Sequence, residues 1–249
     1  MNKNKTTIKE KFNKIFDFLF ASHKCICCGR ENNLNNDYRL CSSCLEKIKF
    51  TKDNNTCLQC GSIINEGFDF CIKCKDTTYS FDKARSVFAY DDISASMILK
   101  FKYNGNKSYS LPLAHMLKSV FDTSDLIADS VTFVPMPKER QKKRGYNQSY
   151  ELCKQFSSLT KIPMFDMLER TNNINKQSTL NAEQRAQNIK GSFKAINKEI
   201  IKNREIILID DVMTTGATAN ECALMLIKAG ARNVSILTLA RTPSTVNFE

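Results

Sequence analysis

One stretch constrains the fold more than any other: residues 205–218, EIILIDDVMTTGAT. Four consecutive apolar residues precede the adjacent acids Asp210 and Asp211, and a Thr/Gly turn follows before a helical pattern begins. An apolar run without alternation is typical of a strand covered on both faces, as in a parallel sheet. Because ligands of such sheets bind beyond the carboxyl ends of the strands, the stretch predicts a binding site at this turn.

The chain around this stretch alternates between strand and helix patterns. Strands are predicted for residues 85–90, 131–137, 205–210 and 233–240, and helices for residues 93–103, 111–121, 147–160 and 217–230. This alternation predicts an α/β fold, a parallel sheet flanked by helices, with a small cysteine-rich module before it. The predicted divisions are an amphipathic helix in residues 1–24, the cysteine-rich module in residues 25–78, and the α/β domain in residues 79–249.

Cysteine is concentrated in the first third of the chain. Nine of the eleven cysteines precede residue 75, and eight of them form four CxxC pairs: Cys25/Cys28, Cys41/Cys44, Cys57/Cys60 and Cys71/Cys74. The spacers within the two halves are twelve and ten residues long, so a four-cysteine spacing repeats. Two facing CxxC turns form a tetrahedral thiolate cage, which predicts one or two structural zinc ions in a zinc-ribbon module.

Gly29 and Gly61 follow the first and third pairs, where a zinc knuckle needs positive φ, so each half carries one such turn. This favours two sequential ribbons over an interleaved pairing. A disulfide framework fits poorly, because the chain shows no export signal and the cysteine count is odd. A redox CxxC fits poorly as well, since four tandem copies exceed what thiol exchange needs. Cys27 is left over, with substitution into a ligand role as an alternative.

The net charge of +11 favours polyanionic partners: nucleic acid, phosphorylated metabolites or an acidic membrane face. No run of eighteen apolar residues exists. Apolar residues at helical spacing near the start predict an amphipathic helix that packs on the protein itself or, alternatively, touches a membrane surface: Ile8, Phe12, Ile15, Phe16 and Leu19. A cytoplasmic location is expected.

The turn after Asp211 has the chemistry of a phosphate cradle. A helix N-terminus offers free N–H groups and partial positive charge, Gly216 permits close approach, and hydroxyls come from Thr214, Thr215 and Thr218. The two acids repel a phosphate, but they accept hydrogen bonds well from a vicinal diol. A ribose 5-phosphate satisfies both halves of the stretch.

This stretch resembles the thirteen-residue signature of type I phosphoribosyltransferases. The resemblance implies binding of 5-phosphoribosyl 1-diphosphate, with magnesium on its diphosphate. It also implies that Asp210 and Asp211 contact the ribose and stabilise charge developing there, as the catalytic acids. The 5-phosphate would be held by Thr214, Thr215, Gly216, Ala217 and Thr218.

A basic segment follows the strand at residues 131–134. It holds five cations and one acid, and Gly145 then permits an unusual turn: Lys138, Glu139, Arg140, Lys142, Lys143 and Arg144. We expect a loop here in which Lys138, Arg144 and Gly145 bind the diphosphate of the ligand. The same cluster suits a nucleic-acid backbone, with Tyr146 stacking on a base, and a solvated charged loop is the remaining alternative.

Nearly the whole chain resembles the ComF/GntX family. The similarity rests on the CxxC pairs, LKFKYNGN at residues 99–106, VPMP with RGYNQS, the polar residues 168–193 and IDDVMTTGAT. Residues 168–193 contain Gln, Leu, Arg and Asn at the spacing of the family, at Gln177, Leu180, Arg185 and Asn188. We interpret this region as a mobile flap over the ligand. The resemblance implies a role in DNA uptake during natural transformation, with single-stranded DNA and competence-machinery proteins as partners. The alternative is an active transferase that moves the phosphoribosyl group to an unidentified base or amine.

Overall fold

The computed structural model of the chain describes residues 24–31, 36–103, 106–171 and 189–243. It consists of two compact units, Met1–Lys47 and Ile48–Glu249, so the unit boundary falls inside the cysteine-rich segment. The divisions expected after residues 24 and 78 stay a prediction. The amphipathic helix expected around residues 8–19 lies outside the described residues, as do Gln177, Leu180, Arg185 and Asn188 of the expected flap.

The first unit is a small cysteine-based fold. Its one described helix is α1 (Ser42–Leu45), and Ile26 and Leu40 are buried beside the cysteines. A backbone hydrogen bond joins two of its turns: the Ile26 N–H donates to the Arg39 carbonyl at 3.0 Å. The core of this unit contains few apolar side chains, so its stability depends on what its cysteines bind.

The second unit contains the remaining helices and strands. In chain order they are α2 (Ile72–Asp76), β1 (Ala84–Ala89), α3 (Asp92–Tyr103), α4 (Ser110–Thr123), β2 (Ser130–Phe133), α5 (Lys138–Arg144), α6 (Gln148–Thr160), β3 (Leu168–Arg170), β4 (Phe193–Ala195), α7 (Lys198–Ile201), β5 (Glu205–Met213), α8 (Ala217–Lys228) and β6 (Asn233–Arg241). Short 3₁₀ turns occupy Thr51–Asp53 and Lys107–Tyr109.

The main sheet has four parallel strands in the order β1-β6-β5-β2. The middle parts of its two central strands are buried and mostly apolar, with Ile206 to Ile209 of β5 and Val234 to Ala240 of β6 excluded from solvent, as a sheet covered by helices on both faces requires. The α/β class with a parallel sheet and flanking helices is thus confirmed. A second, antiparallel pair joins β3 to β4.

The structure differs from the sequence-based expectation at two points near the predicted site. The basic segment at Lys138–Arg144 is the helix α5 and not a loop, because Pro137 precedes it and Gly145 ends it in the left-handed conformation, with φ of 88°. Strand β5 continues past both acids to Met213, because Val212 and Met213 still pair with Ala240 and Arg241 of β6. The strand predicted for residues 205–210 therefore extends to Met213, and both acids lie within it and not at its end.

The second cysteine cluster is part of the core beneath the sheet. Cys57, Cys60, Cys71 and Cys74 belong to the same buried cluster as residues of β5, β6 and α8. The ribbon also bonds to β1: the Ala84 N–H donates to the Gln59 carbonyl at 2.6 Å, and Arg85 Nη1 donates to the Leu58 carbonyl at 2.9 Å. A Cβ on Gly61 would lie 2.5 Å from the Ala84 carbonyl oxygen, so this contact requires glycine.

We expect Gly61→Ala to destabilise the second unit more than Gly67→Ala. Both glycines have positive φ, which costs an alanine about 1–2 kcal/mol, but only Gly61 faces backbone; the space around Gly67 is open. Urea unfolding of both variants, followed by circular dichroism, measures the difference. Equal losses in the two variants would show that the ribbon is not held tightly against β1.

Candidate functional site

A small, open cleft lies at the carboxyl end of β5. It is lined by one of the two acids and by most of the turn that follows: Asp210, Val212, Met213, Thr214, Gly216, Ala217, Thr218, Ala219 and Thr238. Asp211 and Thr215 are not part of this lining. Five of the seven residues expected to contact a sugar phosphate thus face one space.

The turn after β5 has the form of an anion cradle. Gly216 has φ of 83° and precedes α8, whose first N–H groups have no carbonyl of the preceding turn to bond. Thr215 does not face the cleft because its Oγ1 accepts a hydrogen bond from the Ala217 N–H at 3.3 Å. A Cβ on Gly216 would lie 3.0 Å from Met213 Cε and 3.4 Å from Tyr79 Cε1, so glycine fits both the φ and the space.

The two acids are held differently. Ser149 Oγ donates to Asp210 Oδ1 at 2.8 Å, and the Asp211 N–H donates to the same oxygen at 2.8 Å. Lys102 Nζ forms an ion pair with Asp211 Oδ2 at 3.0 Å, and both side chains are mostly buried. One acid is therefore fixed by hydrogen bonds, and the other is neutralised by a lysine from α3.

The environment makes Asp210 a weak acid. Burial raises the pKa of its carboxyl to about 7, and the charge of Asp211 adds to this, while Ser149 and Lys102 act in the opposite direction. Near neutral pH, the Asp210 carboxyl is therefore protonated in some molecules and ionised in the others. The ionised form accepts hydrogen bonds from hydroxyl groups, whereas the protonated form also donates one.

Three polar residues at the site were not predicted individually. Lys102 lies inside the motif LKFKYNGN and Ser149 inside RGYNQS. The sequence analysis identified these two motifs, but it did not predict the contacts of the two residues with the acids. Arg170 ends β3, and its guanidinium lies 5.0 Å from the centre of the Phe193 ring. Burial lowers the pKa of Arg170, and the charge of Arg140 adds to this, while Asp210 opposes it. Arg170 is thus electrostatically coupled to both the acids and the basic helix.

The basic helix α5 presents four exposed cationic side chains to solvent: Lys138, Arg140, Lys142 and Lys143. Arg144 is engaged instead, since its Nη1 donates to Gln148 Oε1 at 2.7 Å and its guanidinium lies 5.0 Å from the centre of the Tyr103 ring. The idea that Tyr146 stacks on a base is wrong, because Tyr146 is buried and its hydroxyl donates to the Phe101 carbonyl. Tyr103, 68% exposed, is the aromatic ring available beside the helix.

The cysteines form two four-sulfur clusters, Cys25/Cys28/Cys41/Cys44 and Cys57/Cys60/Cys71/Cys74, with all sulfurs of a cluster within 4.8 Å of one another. This confirms the sequential pairing of the CxxC turns. None of the eleven cysteines, all of which are among the described residues, forms a disulfide, and Cys27 belongs to neither cluster.

The sulfur geometry fits zinc. Cys28 and Cys41 sulfurs are 3.8 Å apart, and Cys60 and Cys71 sulfurs are 3.7 Å apart. A tetrahedron with Zn–S bonds of about 2.3 Å has edges of about 3.8 Å. A hydrogen bond from Arg30 lowers the pKa of Cys28 to about 6, and one from Cys60 lowers that of Cys57 to about 4, whereas burial raises the pKa of Cys44 and of Cys74. The two clusters therefore support structural zinc with no open coordination position.

Known proteins match both parts of this description. Residues 15–75 match the Double zinc ribbon domain, and residues 142–248 match the Phosphoribosyl transferase domain. Together with the sheet and the cysteine clusters, these matches define a phosphoribosyltransferase-like protein with a double zinc ribbon.

The chain is 31% identical over 229 residues to Competence protein F of Haemophilus influenzae, an alignment covering 89% of this chain and 98% of that protein. The chain belongs to the ComF family. It is 27% identical over 209 residues to DNA utilization protein YhgH of Escherichia coli strain K12, covering 82% of this chain and 90% of that protein. It is 28% identical over 218 residues to Competence protein ComFC of Bacillus subtilis, covering 83% of this chain and 85% of that protein.

Solved structures are more distant. Adenine phosphoribosyltransferase from Thermoanaerobacter pseudethanolicus has a TM-score of 0.36 and 12% identity, covering 66% of this chain and 93% of that one. The fold assignment rests on the strand order and the domain matches, and not on this score. Within the described parts of the chain, no helix combines the length and apolar character needed to cross a bilayer.

The pKa of Asp210 predicts a specific pH dependence of stability. Its folded value of about 7 lies above the ordinary unfolded value of about 3.9, so its contribution is fully present below about pH 4 and is lost as pH rises through about 7. At about 1.4 kcal/mol per pKa unit, the loss is at most a few kcal/mol. Asp210→Asn should abolish this part of the profile.

Urea unfolding between pH 4 and pH 8 measures the effect, as the difference between wild type and variant. Asp92→Asn, on the exposed first turn of α3, is the matched control and should follow the wild type. If the profiles of Asp210→Asn and the wild type run parallel, Asp210 does not titrate in this range.

Proposed function

We propose that the cleft at the end of β5 binds 5-phosphoribosyl 1-diphosphate together with magnesium. The observation that carries the proposal is that Asp210 and the turn residues Thr214, Gly216 and Thr218 line one space. The turn and the first N–H groups of α8 take the 5-phosphate, and the carboxylates accept hydrogen bonds from the ribose hydroxyls.

Cations around the acids suit the diphosphate end of the ligand. Lys102 pairs with Asp211, and Arg170 is coupled to Asp210 and to Arg140 of α5, so positive charge surrounds the acid pair. The diphosphate is bound by Lys138, Arg144 and Gly145. To do so, Arg144 must exchange its hydrogen bond to Gln148 for one to the ligand. Magnesium, when bound with the ligand, neutralises diphosphate charge and is held mainly by phosphate oxygens and water.

The alternative is transfer of the phosphoribosyl group to an acceptor. Such a transfer develops positive charge on the ribose, and the ionised pair Asp210 and Asp211 would stabilise it electrostatically. Positioning and charge stabilisation account for such a step without a dedicated base. If 5-phosphoribosyl 1-diphosphate binds but no phosphoribosyl group is transferred, the same cleft acts as a sensor of this ligand.

Isothermal titration calorimetry with 5-phosphoribosyl 1-diphosphate and magnesium tests this proposal. We expect binding that strengthens as pH rises through about 7, because the ionised Asp210 is the better acceptor for the diol. Gly216→Ala should weaken binding at least about tenfold, since the turn must shift to admit a Cβ. Asp92→Asn should bind as the wild type does.

Diphosphate release in the presence of candidate bases and amines then separates the two functions. Turnover that is lost in Asp210→Asn and Asp211→Asn supports a transferase. Binding without turnover for every acceptor supports the sensor. An absence of binding heat at every pH would sink the proposal.

We also propose that the protein acts in DNA uptake, with single-stranded DNA as a ligand. Its relatives carry the names Competence protein F and DNA utilization protein YhgH. The net charge of +11, the four exposed cations of α5 and the exposed ring of Tyr103 beside Arg144 support a single-stranded nucleic-acid surface. Contacts with competence-machinery proteins and a cytoplasmic location stay predictions of the same proposal.

The salt dependence of DNA affinity tests the role of α5. Replacing Arg140, Lys142 and Lys143 by Gln should reduce the slope of log affinity against log salt by about 2, because each phosphate contact on a single strand contributes about 0.7. The matched control replaces Lys198, Lys202 and Lys228, which are exposed near the opposite end of the sheet. Equal slopes for the two triple variants would mean that only total charge matters. Repeating the titration with 5-phosphoribosyl 1-diphosphate shows whether that ligand gates DNA binding.

A further inference from the structure

Tyr79 is an aromatic residue beside the turn after β5 to which the proposed function gives no role. It is half-buried and lies shortly after Cys74, the last cysteine of the second cluster. A Cβ on Gly216 would lie 3.4 Å from Tyr79 Cε1 and 4.0 Å from its Cζ, so the ring packs directly against the glycine of the turn. Tyr79 does not line the cleft, so its contact is with the turn and not with the space that a ligand would occupy.

Three contacts hold the segment that carries Tyr79. Its ring stacks on that of Phe81, which is buried, with the ring centres 4.6 Å apart. The Phe81 carbonyl accepts a hydrogen bond from Gln59 Nε2 at 3.4 Å. Next to Tyr79, the Ser80 N–H donates to Asn220 Oδ1 of α8 at 2.6 Å. The segment is therefore fixed between the second ribbon and the helix that follows the turn.

Gln59 makes the second ribbon part of this arrangement. It lies inside the CxxC turn of Cys57 and Cys60, and Tyr79 packs on the buried cluster that contains both cysteines. A structural zinc ion fixes the sulfurs of such a turn and thereby the backbone of the residues between them. The position of the Tyr79 ring thus depends on the fold of the second ribbon as well as on the α/β domain.

The turn benefits from such a support because glycine is its least restrained residue. Gly216 has φ of 83°, and a glycine leaves this conformation as readily as it adopts it. Met213 Cε and the Tyr79 ring together fill the space next to its Cα. A turn already held in its binding conformation loses less conformational entropy when a phosphate binds, so restraint of Gly216 raises the affinity.

We propose that Tyr79 is a positioning residue of the turn after β5, and that through it the second ribbon takes part in binding the sugar phosphate. The Tyr79 ring acts on Gly216 and not on the ligand. The identity of the ligand rests on the proposed function of the cleft, whereas the restraint of the turn is a property of the protein alone.

Hydrogen exchange on the full chain without ligand tests the restraint. The Asn220 N–H donates to the Gly216 carbonyl at 2.8 Å, so its exchange reports local opening of the turn. In Tyr79→Ala this amide should exchange severalfold faster than in the wild type, and Tyr79→Phe, which keeps the ring, should restore the wild-type rate. Gln59→Ala keeps every cysteine of both clusters and should accelerate the exchange to a smaller extent.

Phe121→Ala is the matched control, because it removes another half-buried ring at the opposite end of the sheet. Phe121 packs on Phe156 near the end of α4, and α4 ends beside the start of β1, where Asp125 pairs with Arg85. This variant should leave the exchange of the Asn220 N–H at the wild-type rate.

Two results would overturn the restraint: a wild-type rate for the Asn220 N–H in Tyr79→Ala, or the same acceleration in Phe121→Ala. A wild-type rate in Gln59→Ala would refute the part assigned to the second ribbon. Should Tyr79→Ala fail to fold, Tyr79→Leu takes its place with the same expected result, since it keeps apolar volume but not the flat ring.

Calorimetry with ribose 5-phosphate extends the test to the ligand. Tyr79→Ala should bind about tenfold more weakly than the wild type, whereas Tyr79→Phe and Phe121→Ala should bind as the wild type does. If Tyr79→Phe loses as much affinity as Tyr79→Ala, the hydroxyl is the group that matters and the positioning role is wrong. If the wild type does not bind ribose 5-phosphate, the proposed function fails, while the exchange measurement still decides whether Tyr79 restrains the turn.

Discussion

The parallel pairing of β5 with β6 is the constraint on which the rest of the structure depends. It runs from Glu205 opposite Asn233 to Met213 opposite Arg241, beyond the point where the apolar run ends. This extension holds the backbone of Asp210 and Asp211 in a strand, so their side chains have fixed positions when a ligand arrives. A preorganised pair of this kind binds a diol without first ordering a loop.

The same pairing concentrates opposite charges in a small volume. Asp210 and Asp211 are adjacent, and they are compensated by Ser149, Lys102 and the field of Arg170. Burial, and after it the charge of the adjacent Asp211, raises the pKa of Asp210 to about 7, so that carboxyl is partly protonated near neutrality. The proposed ligand, which has a charged end and a neutral diol end, places only the diol at these acids.

The sequence predicted the parts of this site that are local. An apolar run, two acids and a Thr/Gly turn define a strand, its end and a helix start, because each depends on neighbours within a few residues. The CxxC spacing predicted the sulfur clusters for the same reason. The partners of the acids were not predictable, since Lys102 and Ser149 reach them from two other elements, α3 and α6.

The misassigned elements have physical causes as well. Lys138–Arg144 carries no apolar stripe, so nothing in its pattern separates a solvated helix from a loop. Tyr146 and Tyr103 are both tyrosines beside basic residues, and only the packing of α3 against the RGYNQS segment buries one ring and leaves the other open. Burial of a single side chain is a tertiary property, which a local pattern cannot supply.

The docking of the second ribbon on β1 has a consequence for how the chain can be shortened. The segment from Cys57 to Cys74 covers the start of β1 and belongs to the core of the sheet, whereas the first ribbon forms its own compact unit. A fragment beginning at residue 48 keeps every residue of that core. One beginning at residue 79, where the α/β pattern starts, would uncover Phe81 and Ala84 to water and present a bare apolar edge to other chains.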